Sequence, residues 1–266
     1  MKIREIWLYP VKGLRGRSVP DARVEPWGLA ADRRWMVVDA SGRFVTQRKL
    51  AILSTIGACL SPDGLLLSGP DGSSVKLRVP EPAVRCEVSV WDDHSAAVLA
   101  NHDANTWISR LLDGDYRLVY MESPGTARPV DPRFGIATDR VSFADEFPLL
   151  LVNKASLDDL NARLEHPVDI RRFRANVVVE DAAAWAEDGW RALEFGGVRF
   201  RVAKPCSRCA VITIDQEQGR RSRDNEPLRT LATFRRNARG EVIFGQYLIP
   251  DGSGRIRTGD AVRCVR

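Results

Sequence analysis

Apolar residues along this chain recur mostly at a spacing of two, the signature of strands, and only twice at clear helical spacing. Residues 3–9 read as a strand that stops at Pro10, with Ile6 and Leu8 on one face and Ile3, Trp7 and Tyr9 on the other. Residues 33–39 form a second strand, closed by the turn Asp39-Ala-Ser-Gly42, with residues 43–48 as its hairpin partner. Pro62-Asp-Gly64 and Pro70-Asp-Gly72 separate further alternating runs. Turn signals at intervals of about 8–12 residues predict a barrel-like β region. The first helix carries Trp107, Ile108, Leu111 and Leu112 on one face, with Asp103 as its cap and Gly114 as its stop. Residues 121–135 are rich in Pro and Gly and read as a loop or a boundary. Residues 148–152 follow as a buried strand. A second helix is capped by Ser156 and carries Leu157, Leu160 and Leu164. Strands return at 175–180 and at 193–202, the latter around a Gly-Gly turn. A short helix spans 226–235, and strands close the chain at 242–243, 247–249 and 261–265. The expected fold is mainly β with a few helices (α+β), and no repeat is visible.

Composition changes little in this picture. The 266 residues are 44% hydrophobic and 28% charged, as in an ordinary soluble globular protein. No apolar run approaches the roughly 20 residues that span a bilayer, and the first ten residues lack a signal core. Five cysteines, an odd number, fit a reducing compartment better than a disulfide framework. A cytoplasmic protein without a membrane partner is expected. The net charge of +5 is spread over dispersed arginines with no basic block, which suits a small anionic ligand better than a nucleic acid.

The stretch Lys204-Pro-Cys-Ser-Arg-Cys209 concentrates the candidate chemistry. A zinc site needs four ligands, and Cys59, Cys86, Cys264 and the three histidines offer no second pair. A dithiol redox motif needs a helix after the first thiol, whereas Ala-Val-Ile-Thr-Ile after Cys209 favours a strand. A single thiolate acting as soft-metal ligand or nucleophile would be favoured by Lys204 and Arg208. Two buried packing thiols are the remaining alternative. Elsewhere Lys12 with Arg15, Arg33 with Arg34, and Arg171, Arg172 and Arg174 sit at strand edges, where arginines can converge on one phosphate.

These stretches in order resemble the MOSC domain family. The C-terminal part carries Lys204-Pro-Cys-Ser-Arg-Cys209, Ile214-Asp-Gln-Glu-Gln-Gly219, Glu226-Pro-Leu228 and Phe244-Gly-Gln-Tyr247. The N-terminal part resembles the β-barrel domain that precedes MOSC, through Tyr9-Pro-Val-Lys-Gly13, Asp32-Arg-Arg-Trp35 and Thr46-Gln-Arg48, and Phe173-Arg-Ala-Asn176 matches between them. The resemblance implies an N-terminal barrel-like domain over 1–120 packed on a MOSC β-barrel domain over 121–266. It also implies a molybdenum–pterin cofactor (Mo-molybdopterin), with Cys209 as the metal ligand and catalytic residue. Lys12, Gly13, Arg33, Arg174, Ser207, Arg208 and Tyr247 match cofactor contacts. Gly13 stands where relatives often have Ser, so its contact would be a backbone one. The implied activity is reduction of N-hydroxylated small molecules, with electrons from a separate ferredoxin, flavodoxin or reductase, since no ferredoxin-like extension follows the MOSC region. A carrier of sulfur or of the cofactor, without turnover, is the alternative. Asp145 and Asp215 are the carboxylates considered as general acids, and Cys206 has no assigned role.

Overall fold

The computed structural model describes residues 1–81, 84–126 and 128–265, so Ala127 of the Pro/Gly-rich stretch and the terminal Arg266 lie outside the described residues. Strands dominate, with α-helices at His102–Leu112, Lys154–Asn161 and Leu228–Phe234. The expected class, mainly β with a few helices, is the one observed. The strand orders are open from edge to edge among the described residues.

The largest sheet joins both ends of the chain. Its eight strands run in the order Arg263–Val265, Ala192–Phe195, Val198–Ser207, Ile243–Pro250, Leu149–Asn153, Val177–Glu180, Lys2–Leu8 and Arg17–Val19. The first long strand of the chain therefore pairs antiparallel with Val177–Glu180. Leu149–Asn153 and Val177–Glu180 are parallel, and a parallel pair needs a crossover. The crossover holds the helix Lys154–Asn161 and the short turn Ile170–Phe173, and so delivers Arg172 and Arg174 beside the sheet. Gly196 and Gly197 take φ of 58° and 72° in the tight turn between Phe195 and Val198, as expected from the sequence.

One face assignment differs. A register shift between Ile3 and Glu5 inserts an extra residue into the first strand. Ile3 therefore joins Ile6 and Leu8 in one core, while Trp7 packs on the other side. A single bulged residue reverses parity for everything beyond it.

The second sheet orders Arg85–Val90, Asp93–Leu99, Tyr116–Tyr120, Trp35–Asp39 and Val11–Lys12. A three-stranded meander, Gly57–Ser61, Gly64–Ser68 and Ser74–Arg78, packs with it around Ile108 and Leu112 of the first helix. The segment after Gly42 makes two isolated bridges, Val38 to Phe44 and Arg43 to Ser89, instead of a full hairpin strand. It then leaves the sheet, which frees residues 44–48 to line a cleft.

Both helix caps lie earlier than the sequence suggests. The first helix starts after Asn101, which leaves Asp103 inside its first turn. The second starts after Asn153, whose side chain accepts from Ala155 N at 3.2 Å. Ser156 is buried within that helix, and its hydroxyl accepts from Trp185 N at 2.7 Å. In each case an Asn takes the position before the helix, and Asn153 alone of the two makes the side-chain capping bond.

Candidate functional site

A cleft of about 890 Å³, counting the open solvent at its mouth, lies between the two sheets. Lys12, Gly13, Arg33, Arg174, Ser207, Arg208, Cys209 and Tyr247 all line it. Positions more than two hundred residues apart in sequence thus share one concavity.

Tyr9 is the post around which the cationic wall is built. Its amide donates to Asp32 Oδ1 at 2.8 Å, and its hydroxyl donates to Ala175 O at 3.2 Å. The guanidinium groups of Arg33 and Arg174 lie 4.3 Å and 4.4 Å from its ring centre. Burial pushes the Tyr9 phenol up to about 12, against the pull of Arg174 and Arg33, so it stays neutral. Arg33 Nη1 donates to Asp32 Oδ2 at 2.5 Å and to Asn176 Oδ1 at 2.9 Å, and Nη2 donates to Arg174 O at 3.1 Å. Arg174 Nη1 donates to Leu14 O at 2.8 Å. Both arginines have positive φ, 47° and 57°, a conformation that costs a non-glycine residue free energy and that the surrounding hydrogen bonds enforce.

Lys12 is buried, and its ammonium pairs with Asp145 Oδ1 at 2.5 Å. Burial lowers Lys12 to about 8, with Asp145 opposing the shift. Asp145 sits at the cleft mouth with half of its side chain exposed. Burial acts to raise it, but the charge and hydrogen bond of Lys12, with Arg48 and Arg33 beyond, hold it well below the usual carboxylate range. Gly13 takes φ 84° and turns its carbonyl to Gln47 Nε2 at 2.6 Å. A Cβ there would find its nearest neighbours at 3.6 Å, so backbone conformation and not space favours glycine.

The two cysteines of the Cys-Ser-Arg-Cys segment have different surroundings. Cys206, next to last in the strand Val198–Ser207, lines the cleft but is only 2% exposed, and it accepts from Arg208 Nη1 at 2.8 Å. Burial pushes its thiol up, against the opposing charge of Arg208, so a neutral sulfur anchors the guanidinium. Arg208 Nη2 donates to Phe173 O at 2.6 Å, which ties the segment to the crossover turn. Cys209, three residues on, is exposed and lines the cleft. The β-branched residues after it form a one-turn helix, Ala210–Thr213, not the expected strand. Ile212 and Thr213 are buried there, and burial overrides their strand preference. Lys204, expected beside the sulfur, pairs instead with Glu146 at 2.5 Å.

Several contributors have weak local signals. Phe44, Gln47, Arg48, Arg172, Asn176 and Asp145 also line the cleft. Gln47, Arg48, Arg172 and Asn176 lie in or beside the stretches that carry the family resemblance. Arg128, in the stretch read as a loop, is buried and donates to Ser142 O, Ala144 O and Asp145 O at 2.9, 2.6 and 3.1 Å. It also pairs with Asp93 at 2.8 Å, so it clamps the segment bearing Asp145 to the second sheet. No pattern around Arg128 announces this role. Asp215 pairs with Arg172 at 3.2 Å and does not line the cleft.

The cleft walls keep unspent hydrogen-bonding capacity. Arg174 Nη2, Arg208 Nε and Gln47 Oε1 are buried without a partner among the described residues. Buried polar atoms of this kind are costly unless something meets them. Two guanidinium donors lining one cleft suit an oxyanion such as phosphate. No group of three or more His, Cys, Asp or Glu side chains is placed to hold a metal among the described residues. Of the two thiols that line the cleft, Cys206 is buried and Cys209 is exposed.

Residues 138–263 match the family model described as MOSC domain, and residues 1–115 match the MOSC N-terminal beta barrel domain. Mitochondrial amidoxime-reducing component 1 of Mus musculus is 33% identical, over 98% of this chain and 81% of the relative. The protein of the same name from Homo sapiens is 32% identical, over 98% and 82%. Molybdenum cofactor sulfurase of Oryza sativa subsp. japonica is 29% identical over 92% of this chain, which spans 32% of that relative.

Proposed function

Because this chain belongs to the MOSC domain family, with the N-terminal MOSC β-barrel domain ahead of the MOSC domain, we propose that it is a molybdenum-dependent oxidoreductase that reduces N-hydroxylated compounds to the parent amine or amidine. The observation that carries this reading is an exposed thiol, Cys209, in one cleft with Lys12, Arg33, Arg174 and Arg208.

The residues present fit a molybdenum–pterin cofactor. Cys209 would hold the metal through sulfur, and the open donors of Arg174 and Arg208 would meet a phosphate. Lys12 and Arg33 would add charge, and Ser207, Tyr247 and the Gly13 backbone would complete the cradle. When bound, this group supplies two-electron reduction. Cleaving the N–O bond of a hydroxylamine consumes two electrons and two protons and yields an amine and water. The electrons come from a separate redox protein of ferredoxin, flavodoxin or reductase type. For the protons, Lys12 Nζ is the best-placed donor, since it keeps its proton up to about pH 8 and lines the cleft. Neither carboxylate serves as the acid. The cations hold Asp145 ionised, and the amides of Gln218 and Glu217, outweighing partial burial, hold Asp215 low. No helix among the described residues is long and apolar enough to cross a membrane.

Carriage of sulfur or cofactor without turnover is the second reading, favoured by the likeness to the sulfurase. Elemental analysis of the purified protein, with conversion of benzamidoxime to benzamidine by a reduced viologen, separates the two. Near-stoichiometric molybdenum with turnover is the expected result. A sulfur adduct on a cysteine, with no reduction by the loaded protein, moves the assignment to the carrier.

A further inference from the structure

We propose that Trp91 is a stacking platform at the rim of the cleft, selecting N-hydroxylated substrates that carry a planar ring, an inference that rests on the reductive reading above. Trp91 is the first central residue of the two-residue turn joining Arg85–Val90 to Asp93–Leu99. It takes φ 57°, a conformation that such turns normally give to Gly, Asn or Asp. A bulky side chain with positive φ is a marked outlier, and backbone strain of this kind clusters at ligand sites. Trp91 is also 43% exposed, so a sizeable part of its surface is left uncovered by the protein.

Its neighbours connect it to the cleft. Phe44, which lines the cleft, meets the Trp91 ring edge to face at 4.9 Å between centroids and 66° between planes. Lys12 Nζ lies 5.2 Å from the centre of the same Phe44 ring. Arg48, also in the cleft wall, places its guanidinium 4.4 Å from the Trp91 ring centre. The indole is thus held by a cation and an aromatic edge that both belong to the cleft, with part of its surface left to solvent. Trp185 provides a contrast. It too has positive φ, 65°, but its indole N–H donates to Asp159 at 3.0 Å, and Phe234 and Phe244 pack against it. Those contacts give Trp185 a structural reason for its conformation. Trp91 has two such contacts but keeps 43% of its surface exposed, room for a flat ligand, such as an aryl amidoxime or an N-hydroxylated heterocyclic base, to lie on the free surface with its N–O group directed into the cleft.

The test compares the wild type with Trp91→Gly and Trp91→Phe on benzamidoxime and on acetamidoxime, which has no ring. Glycine suits the turn, so Trp91→Gly folds with its melting temperature and molybdenum content kept. Its KM for benzamidoxime rises roughly three- to tenfold relative to its effect on acetamidoxime, the range of one aromatic stacking contact, with kcat little altered. Trp91→Phe recovers most of the loss. Equal shifts for the two substrates, or no shift, overturn the proposal. Calorimetry with benzamidine distinguishes failure of the platform from failure of the reductase reading. Should the wild type reduce neither compound, the reductase reading fails, and the platform then stands only if benzamidine binds the wild type more tightly than Trp91→Gly. Equal affinity, or no binding to either, removes it.

Discussion

On the wall of the cleft formed by residues 9–48, cations meet carboxylates: Arg33 pairs with Asp32, and Lys12 with Asp145. Among the cleft residues of 172–209, Arg174, which shares the Tyr9 ring with Arg33, and Arg208 bind carbonyl oxygens or sulfur through some nitrogens and leave one nitrogen each without a partner among the described residues. The difference separates two uses of a cation. A paired guanidinium fixes the shape of the wall, and its loss exposes a buried carboxylate. A guanidinium with an open donor holds free energy in reserve, which an arriving anion releases. The two cysteines repeat the contrast within one turn of chain, with Cys206 engaged by Arg208 and Cys209 open to the cleft.

The largest expected effect tests the cysteines. Cys209→Ala loses essentially all bound molybdenum by elemental analysis, while Cys206→Ala retains it, and equal loss in both would erase the distinction. Next is Arg33→Met, which leaves the Asp32 carboxylate, only 1% exposed, without its partner. Breaking such a buried pair costs about 3–5 kcal/mol, measurable by urea unfolding. Arg174→Met forfeits the bond to Leu14 O, about 1 kcal/mol, but weakens phosphate binding more than its effect on folding suggests. If the two substitutions destabilise equally, the division of the walls fails. Cys206→Ala comes third, since it strands Arg208 Nη1 at a cost of about 1–3 kcal/mol, seen as a lower melting temperature with the metal still bound.

The smallest effect is one of pH. Inorganic phosphate binds the cofactor-free cleft several-fold more weakly as pH rises past about 8, where Lys12 loses its proton. Lys12→Arg shows no such fall, because its charge persists. Stability moves the other way. The folded Lys12 pKa lies below its ordinary 10.5, so between about 8 and 10.5 the unfolded chain binds more protons and this group favours folding increasingly with pH. Calorimetric titration for affinity and chemical denaturation for stability, run over the same pH series, check the opposed trends.

Much of this protein was legible from residues alone. Alternation and turn residues indicated the β-rich class, the Gly196-Gly197 turn and the buried strand Leu149–Asn153, because those patterns reflect local sterics and the pleat. Parity beyond the bulge at Ile3 was not legible, because one extra residue reverses it and leaves no compositional trace. The clamp formed by Arg128 was equally hidden. Its partners at Asp93 and residues 142–145 are brought to it by two different sheets.

The sequence by itself determined which side chains were available: two thiols three residues apart, and cations at the edges of strands. Resemblance grouped those cations around one of the thiols but could show neither wall. Only the tertiary structure decided that Cys206 turns into the core and Cys209 faces the cleft, because the strand Val198–Ser207 ends between them and the chain turns there. It also decided that Lys12 and Arg33 share one cleft with Arg174 and Arg208, since the first strand of the chain pairs with Val177–Glu180 across a long loop closure. Periodicity is a property of neighbours in sequence. Convergence is a property of topology, set by burying the apolar faces of strands that lie far apart along the chain.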